Sequence, residues 1–346
     1  MFSNKRRVLH YSSALFFLTA SLILGAAVGS VDVPIPALWH IFTSDILHLP
    51  AGVSVESTYT SIVMNIRLPR VVLAGLVGAS LSIAGAGFQG LLKNPLADPY
   101  TLGVSSGAAV GAVIVLFFSF TLPLAGRFTL PLVSVLFAFL TIVIVLAFAR
   151  MLHRGLSVET IVLTGIIFSS FLGSLISLMI ALTGDELRQI IGWLLGSVGM
   201  RDWSYTWMIL PFFLVGTVLL ALNSTELNAL SFGEEHAQHL GVNVHARKLM
   251  ILSAASILTG AAVAVSGTIG FVGLVIPHLV RLVSGPDHRH LLPLSMITGA
   301  GFLILADLVS RTIIAPVELP VGVITALIGA PVFALLLYRQ RRGKHA

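Results

Sequence analysis

Apolar side chains in this chain come in runs about as long as a bilayer is thick, and polar residues are confined to short stretches between them. About ten such runs can be read, near residues 8–31, 62–92, 100–120, 128–149, 157–183, 203–222, 248–266, 271–283, 291–309 and 320–338. A helical span needs about 20 apolar residues, so the pattern predicts an all-α polytopic membrane protein of about ten transmembrane helices. Residues 32–61 read as an outer loop, Asp185–Asp202 as an outer excursion with a short apolar helix, and 223–247 as the longest inner connection. No stretch is left over for a soluble domain, and 1–346 reads as a single transmembrane domain.

Lys5, Arg6 and Arg7 precede the first run. That run exceeds a signal-peptide core and further spans follow, so it reads as a span with the N-terminus inside. Alternating spans then place Arg150, His153, Arg154, the 223–247 connection and the cations Arg339, Arg341, Arg342 and Lys344 inside. Of the 20 lysines and arginines only Arg67, Arg70, Arg127, Arg188, Arg201 and Arg311 fall outside, an asymmetry that fits the positive-inside rule and two cytoplasmic termini.

Composition adds exclusions. The chain is 56% hydrophobic and 10% charged, with a mean hydropathy of +1.00, whereas an ordinary soluble domain is about 25% charged. The pI near 10.1 suggests nucleic acid, but the cations lie along loop edges without an aromatic-rich basic module. There is no cysteine, which removes disulfides, thiolate metal sites and a cysteine nucleophile.

Residues 65–111 are the most informative. Arg67 and Arg70 bracket a Leu-Pro step, and the run that follows stays uncharged until Lys93. Within it Gly75, Gly78, Ala79, Ser82, Gly85 and Gly90 keep one face small, suited to close helix packing in lipid. Asn94, Pro95, Asp98 and Pro99 then force the helix to break and restart, with Asp98 set to cap and Pro99 at the first helical position. Broken backbone at membrane depth is tolerated where protein or a water path covers it. Phe88-Gln89-Gly90-Leu91 before Pro95 is echoed by Phe271-Val272-Gly273-Leu274 before Pro277, in spans of opposite direction, a hint of an inverted repeat.

The string RLPR followed by GASLSIAGAGFQGLLKNPLADPYTLGVSSGAAVG resembles the signature of the permease subunits of bacterial ABC importers for iron-siderophores, haem and cobalamin. The resemblance implies the inverted-repeat fold of that family, a bacterial cytoplasmic membrane location, and a homo- or heterodimer with a second permease. It also implies two ABC ATPase subunits, an extracytoplasmic substrate-binding protein and no cofactor. In that family the positions matching Arg67, Arg70 and Arg311 face acidic residues of the binding protein; guanidinium groups suit such docking because they pair with carboxylates in a planar fork. Arginines at helix ends also snorkel, and Arg311 stands four residues after Asp307, within pairing reach.

Residues 226–247 show Leu227, Leu230, Phe232, Ala237 and Leu240 punctuated by Gly233 and Gly241, which reads as two short helices on the inner surface. Gly233, Glu235, Ala237 and Gly241 resemble a diverged form of the loop that seats ABC permeases on their ATPases. His236 and His239, and the cluster Asp287, His288 and His290, lack the spacing of a zinc enzyme and read as solvated loop residues, with no metal site. On the fifth run Thr160, Thr164, Ser170, Ser174 and Ser177 fall within an arc of about 140° at 100° per residue. Such a face either lines a wet path or bonds back to its own carbonyls. The family's inner gate matches Leu156-Ser157-Val158-Glu159-Thr160, where Glu159 departs from its small hydroxyl residues.

No phosphate-loop motif occurs, so the chain reads as a non-enzyme whose ATPase lies in a partner. Gly103-Val104-Ser105-Ser106-Gly107 matches a hydrolase elbow but opens a membrane helix without the strand that elbow needs. An ion-coupled secondary transporter is the competing class; it needs acids deep in the membrane, but nearly every acid here lies in a loop or at a span end, with Asp307 the most buried candidate. An ABC permease for free metal ions would need a His/Asp/Glu cluster within the spans. The reading carried forward is an ABC importer permease whose cargo is an iron-siderophore, with haem and cobalamin as alternatives.

Overall fold

A computed structural model describes residues 4–29, 31, 33–46, 57–152, 157–184 and 186–342. The first run is α1 (Asn4–Ala27). The segment expected as an outer loop carries two short helices, α2 (Ile35–Ile41) and α3 (Ser57–Ile62). From α3 the chain passes through a π-helical turn, Val63–Arg67, into α4 (Leu68–Leu91), making a rod of 35 residues. Pro69 has no N–H for the carbonyl four residues earlier, and the widened turn just ahead of it absorbs the gap.

The third run is not one helix. A single 3₁₀ turn, Pro99–Leu102, is separated from α5 (Val104–Phe118) by Gly103 at φ +81°. There follow α6 (Thr129–Leu152), α7 (Val158–Leu182), α8 (Leu187–Leu194), α9 (Trp203–Leu222), α10 (Ser224–Ser231), α11 (Glu234–His239), α12 (Val244–Ser266), α13 (Val272–Ser284), α14 (His288–Thr312) and α15 (Val321–Arg342). Ten of these helices match the ten runs. Seven of the described helical stretches, counting α3 and α4 as one, are long and apolar enough to cross a membrane. By contrast α5 and α13 have 15 and 13 residues, roughly 20 Å at 1.5 Å per residue, short of a hydrocarbon core of about 30 Å.

Close packing explains the glycines at the centre of the bundle. α4 and α14 lie antiparallel, with Arg70 beside Asp307, Gly78 against Gly299 and Gly90 against His288. A Cβ on Gly78 would overlap the Gly299 carbonyl, and one on Gly85 would overlap that of Gly273; small residues are what let backbones meet where lipid gives no hydrophobic drive to associate. α4 and α12 form the centre of the bundle, while α1 and α7 lie at its rim.

The two halves repeat. α4, the break at 92–103, α5, α6 and α7 are answered by α12, a break at 267–271, α13, α14 and α15. α4 packs on α13 and α14, and α12 packs on α5 and α6, so each half's central helix lies against the other half. The directions are opposite: α4 ends beside His288, at the end where Asn228 of α10 binds Asp287 and where α12 begins. Pro99 of the first break lies against Gly273 just past the second, and Gln89 donates to the carbonyls of Gly273 and Leu274 at 3.3 and 3.0 Å. The two Phe-x-Gly-Leu strings thus touch each other, and the irregular backbone is covered by protein.

Candidate functional site

Candidate residues gather at the two ends of the bundle. At one end Arg70 grips Asp307 with Nε and Nη2 (2.9 Å each) and reaches Glu318 with Nη1 (2.9 Å). Asp307 is 1% exposed and Glu318 is 49% exposed. Arg67 is buried, and its guanidinium donates to the carbonyls of Ala26 (2.8 Å), Ala27 (2.5 Å) and Val31. Arg311 donates to the Gly25 carbonyl at 2.5 Å and stands 3.8 Å from Asp307. Two of the three arginines therefore cap the C-terminus of α1, where free carbonyls and the helix dipole favour cations, and the third is held by two carboxylates. On the surrounding loops Arg127 pairs with Asp202 at 2.7 Å, Arg201 stacks on Tyr205 and Arg188 is exposed.

At the opposite end α10 and α11 are the two short helices expected over residues 226–247. Leu227, Leu230 and Ala237 are buried in the core. Lys248 lies inside α12, where the sequence pattern had placed a span end, and pairs with Glu234 at 2.6 Å; Arg247 pairs with Glu226 at 3.2 Å. Glu235, His236 and His239 point outward. Gly233 and Gly241 have φ of +123° and +83°. Phe232 and Leu240, flanking α11, are 76% and 72% exposed. The result is a short helix fixed from behind with an apolar rim in front.

One expectation is corrected here. His288 is not solvated: it is buried, with Nδ1 2.8 Å from Asn228 Oδ1. The Asn228 amide donates to Asp287 at 2.7 Å, stapling α10 to the start of α14. Burial pushes the Asp287 carboxyl up, but the Asn228 amide and the Arg289 backbone N–H hold it below the usual carboxylate range.

In the break, Asn94 Oδ1 accepts from the Leu96 N–H at 2.9 Å and Asp98 Oδ1 from the Tyr100 N–H at 3.1 Å, with Pro99 opening the turn. Pro95 lies inside the first of these turns, which the Ala97 N–H closes on the Asn94 carbonyl at 3.0 Å. The hydroxyls of α7 divide. Thr164 is buried, and Thr160 bonds Ser157 at 2.8 Å, whose side chain caps α7. Ser170, Ser174 and Ser177 are exposed, and the last two donate to the carbonyls of Ser170 and Gly173 at 3.0 Å. Of the gate stretch, Leu156 lies outside the described residues, as do Asp185, His153, Arg154 and Lys344.

Asn228, Glu234, Lys248 and Glu318 carry these arrangements, and none was singled out from the sequence. Their signal is pairing across long separations, which local pattern does not carry.

An inverted-repeat bundle with two broken crossings is the architecture of a multi-pass transporter, and its relatives make it an ABC transporter permease. The chain belongs to the FecCD transport family, whose profile matches residues 17–339. It is 62% identical to the uncharacterised ABC transporter permease protein YvrB of Bacillus subtilis, over 98% of this chain and 96% of that protein. Identity is 40% with the hemin transport system permease protein HmuU of Yersinia pestis (94% and 95% covered) and 43% with the cobalamin import system permease protein BtuC of Halobacterium salinarum (90% and 81%). Among solved structures, a metal-chelate type ABC transporter in an inward-facing conformation superposes with a TM-score of 0.82 at 31% identity, covering 94% of this chain and 98% of that one.

Proposed function

We propose that this permease imports a metal chelate, an iron-siderophore in the first instance, with ATP hydrolysed by a partner subunit. Haem and cobalamin are the alternatives that the names of HmuU and BtuC suggest. The observation that carries the reading is α11: its core-anchored back, its Lys248–Glu234 tie to α12 and its apolar Phe232 and Leu240 rim suit a surface on which an ATPase seats through Gly233, Glu235, Ala237 and Gly241. That end is then cytoplasmic, together with both termini.

The arginine end receives the substrate-loaded binding protein in this proposal. Arg67, Arg70 and Arg311 supply its positive field from just beneath the surface, and Glu318, half exposed, is the carboxylate that a partner's acid replaces on Arg70. A second permease covers α7, and the exposed Ser170, Ser174 and Ser177 line the path between the two. Asp307 is paired with Arg70, which leaves it poorly suited to carry a coupling ion.

The test is vesicle uptake of radioactive iron-siderophore by this permease with the ATPase and binding protein encoded beside it. ATP-dependent uptake that survives an uncoupler is expected. Uptake that ignores ATP and collapses with the uncoupler would overturn the ABC mechanism, and competition by haem or cobalamin but not siderophore would reassign the cargo.

A further inference from the structure

At the arginine end of the bundle a cleft of about 450 Å³ lies between α1, α2 and the start of α4. Leu22 and Ile23 of α1, Trp39 of α2, Phe42 of the π turn that continues α2, and Leu68 form its walls; Thr19 supplies the one hydroxyl, and none of the lining residues is charged. Thr19 stands eight residues before Ala27, the last of α1, about 12 Å along the axis at 1.5 Å per residue. Half of a hydrocarbon core is about 15 Å, so the cleft runs through most of one leaflet.

α2 is apolar on both sides. Leu38 and Ile41 turn inward, Ile41 packing with Val33 and Val63 in a small core apart from the main one. Ile35, Trp39 and Phe42, at i, i+4 and i+7, are 66%, 66% and 45% exposed, and the Trp39 and Phe42 rings stack. A helix that is apolar all round needs cover on both sides. The cover is read from α1, where Leu9, Phe16 and Ile23, seven residues apart on one face, are 65%, 77% and 47% exposed. That is the face a spanning rim helix turns to lipid tails, and Ile23 is at once its last member and a wall of the cleft. The stripe on α2 therefore continues the lipid-facing surface of α1. α1 packs on α14 and α7 on α5 and α6, so the two open flanks are separate.

An apolar stripe carrying tryptophan at the level where a span ends is the pattern of an interfacial anchor. We propose that α2 lies in the membrane interface, with Trp39 at head-group level, and that the cleft beside it seats one acyl chain of a phospholipid from that leaflet. With no charge in its lining, the cleft recognises the hydrocarbon chain and not the head group. The segment expected as an outer loop is then in part a membrane element, and the seated chain braces the end of α1 whose carbonyls Arg67 caps.

The anchor is tested on the full-length permease, which has no native cysteine, in phosphatidylcholine nanodiscs with a nitroxide on Ile35→Cys. Collisions with oxygen are expected to exceed those with a water-soluble nickel chelate severalfold, whether or not the binding protein is added. A label that favours the nickel chelate overturns the proposal. So does a label shielded only by the binding protein, or one broadened by the label of a second copy, either of which would make the stripe a protein contact. For the cleft, delipidated permease is titrated with dipalmitoyl-phosphatidylcholine, dipalmitoyl-phosphatidylglycerol or dihexanoyl-phosphatidylcholine, and retained lipid is counted by native mass spectrometry. One long-chain lipid per permease chain is expected with either head group, and the short-chain lipid about a hundredfold more weakly, the effect of only about three or four buried methylenes. Ile23→Trp, at an exposed position, is expected to weaken that retention about tenfold by filling the cleft. Equal retention of long and short chains, retention set by head-group charge, or an Ile23→Trp protein that binds like its parent overturns the acyl site.

Discussion

Arg70 and Asp307 meet as a fork on a carboxylate inside the bundle. Removing one member strands a buried charge, so Arg70→Gln is expected to destabilise the permease by about 3–5 kcal/mol, read as a large drop in melting temperature in detergent. Arg70→Met combined with Asp307→Leu removes both charges and is expected to recover most of the loss; a melting point unchanged in Arg70→Gln would mean the pair does not hold α4 to α14. Glu318 is half exposed, and an exposed ion pair contributes about 0–1 kcal/mol. Glu318→Gln therefore separates docking from stability: the fold stays intact while the affinity of the binding protein rises, as its acid no longer competes for Arg70. A charge reversal at Arg70 cannot make this separation, because it sets a second carboxylate against Asp307.

At the scale of elements, α11 is the place where local sequence spoke clearly. Replacing Phe232 and Leu240 together with serine is expected to reduce ATPase retention tenfold or more, since each large apolar side chain buried at a seat contributes about 1.5–3 kcal/mol, with the melting point unmoved. Retention at the parent level would remove the rim from the seat. Gly241→Leu acts differently, forcing a side chain into φ +83°, a backbone region that only glycine enters freely.

The same contrast shows what could be read beforehand. The break at 92–103 and the helices α10 and α11 were legible because proline, glycine, asparagine and aspartate act on their own backbone. The Arg70–Asp307 pair spans 237 positions and the Gln89–Gly273 bond 184, and no local pattern encodes either. The arc of hydroxyls on α7 was a correct angle with an incomplete meaning. Periodicity gives a face, but only packing shows that Thr164 turns inward while Ser170, Ser174 and Ser177 stay uncovered.

Across the whole molecule α7 is the least enclosed of the long helices, with only Ile161, Thr164 and Gly165 buried. Because the chain has no cysteine, single introduced thiols report cleanly on what covers it. In the assembled transporter Ser174→Cys is expected to react with a membrane-impermeant maleimide, whereas Phe16→Cys on the lipid side of α1 is not. An unreactive Ser174→Cys would take the serine face out of the path.

The tie between Lys248 and Glu234 has a mechanical reading. α12 is 23 residues long, a bar of about 35 Å, and α11 is bolted near one tip. The other tip is fastened at Ser266, whose carbonyl accepts from the Ser197 N–H at 2.7 Å, and Gly267 there abuts the Trp193 carbonyl at the end of α8. A tilt of about 5° pivoted at α11 sweeps the opposite tip through about 3 Å at this length, carrying α8 and, through the Gly196–Gly322 hydrogen bond, the first turn of α15. A bar of that length turns a small rotation at one face of the bilayer into a displacement of a few ångströms at the arginine end without any helix having to unwind.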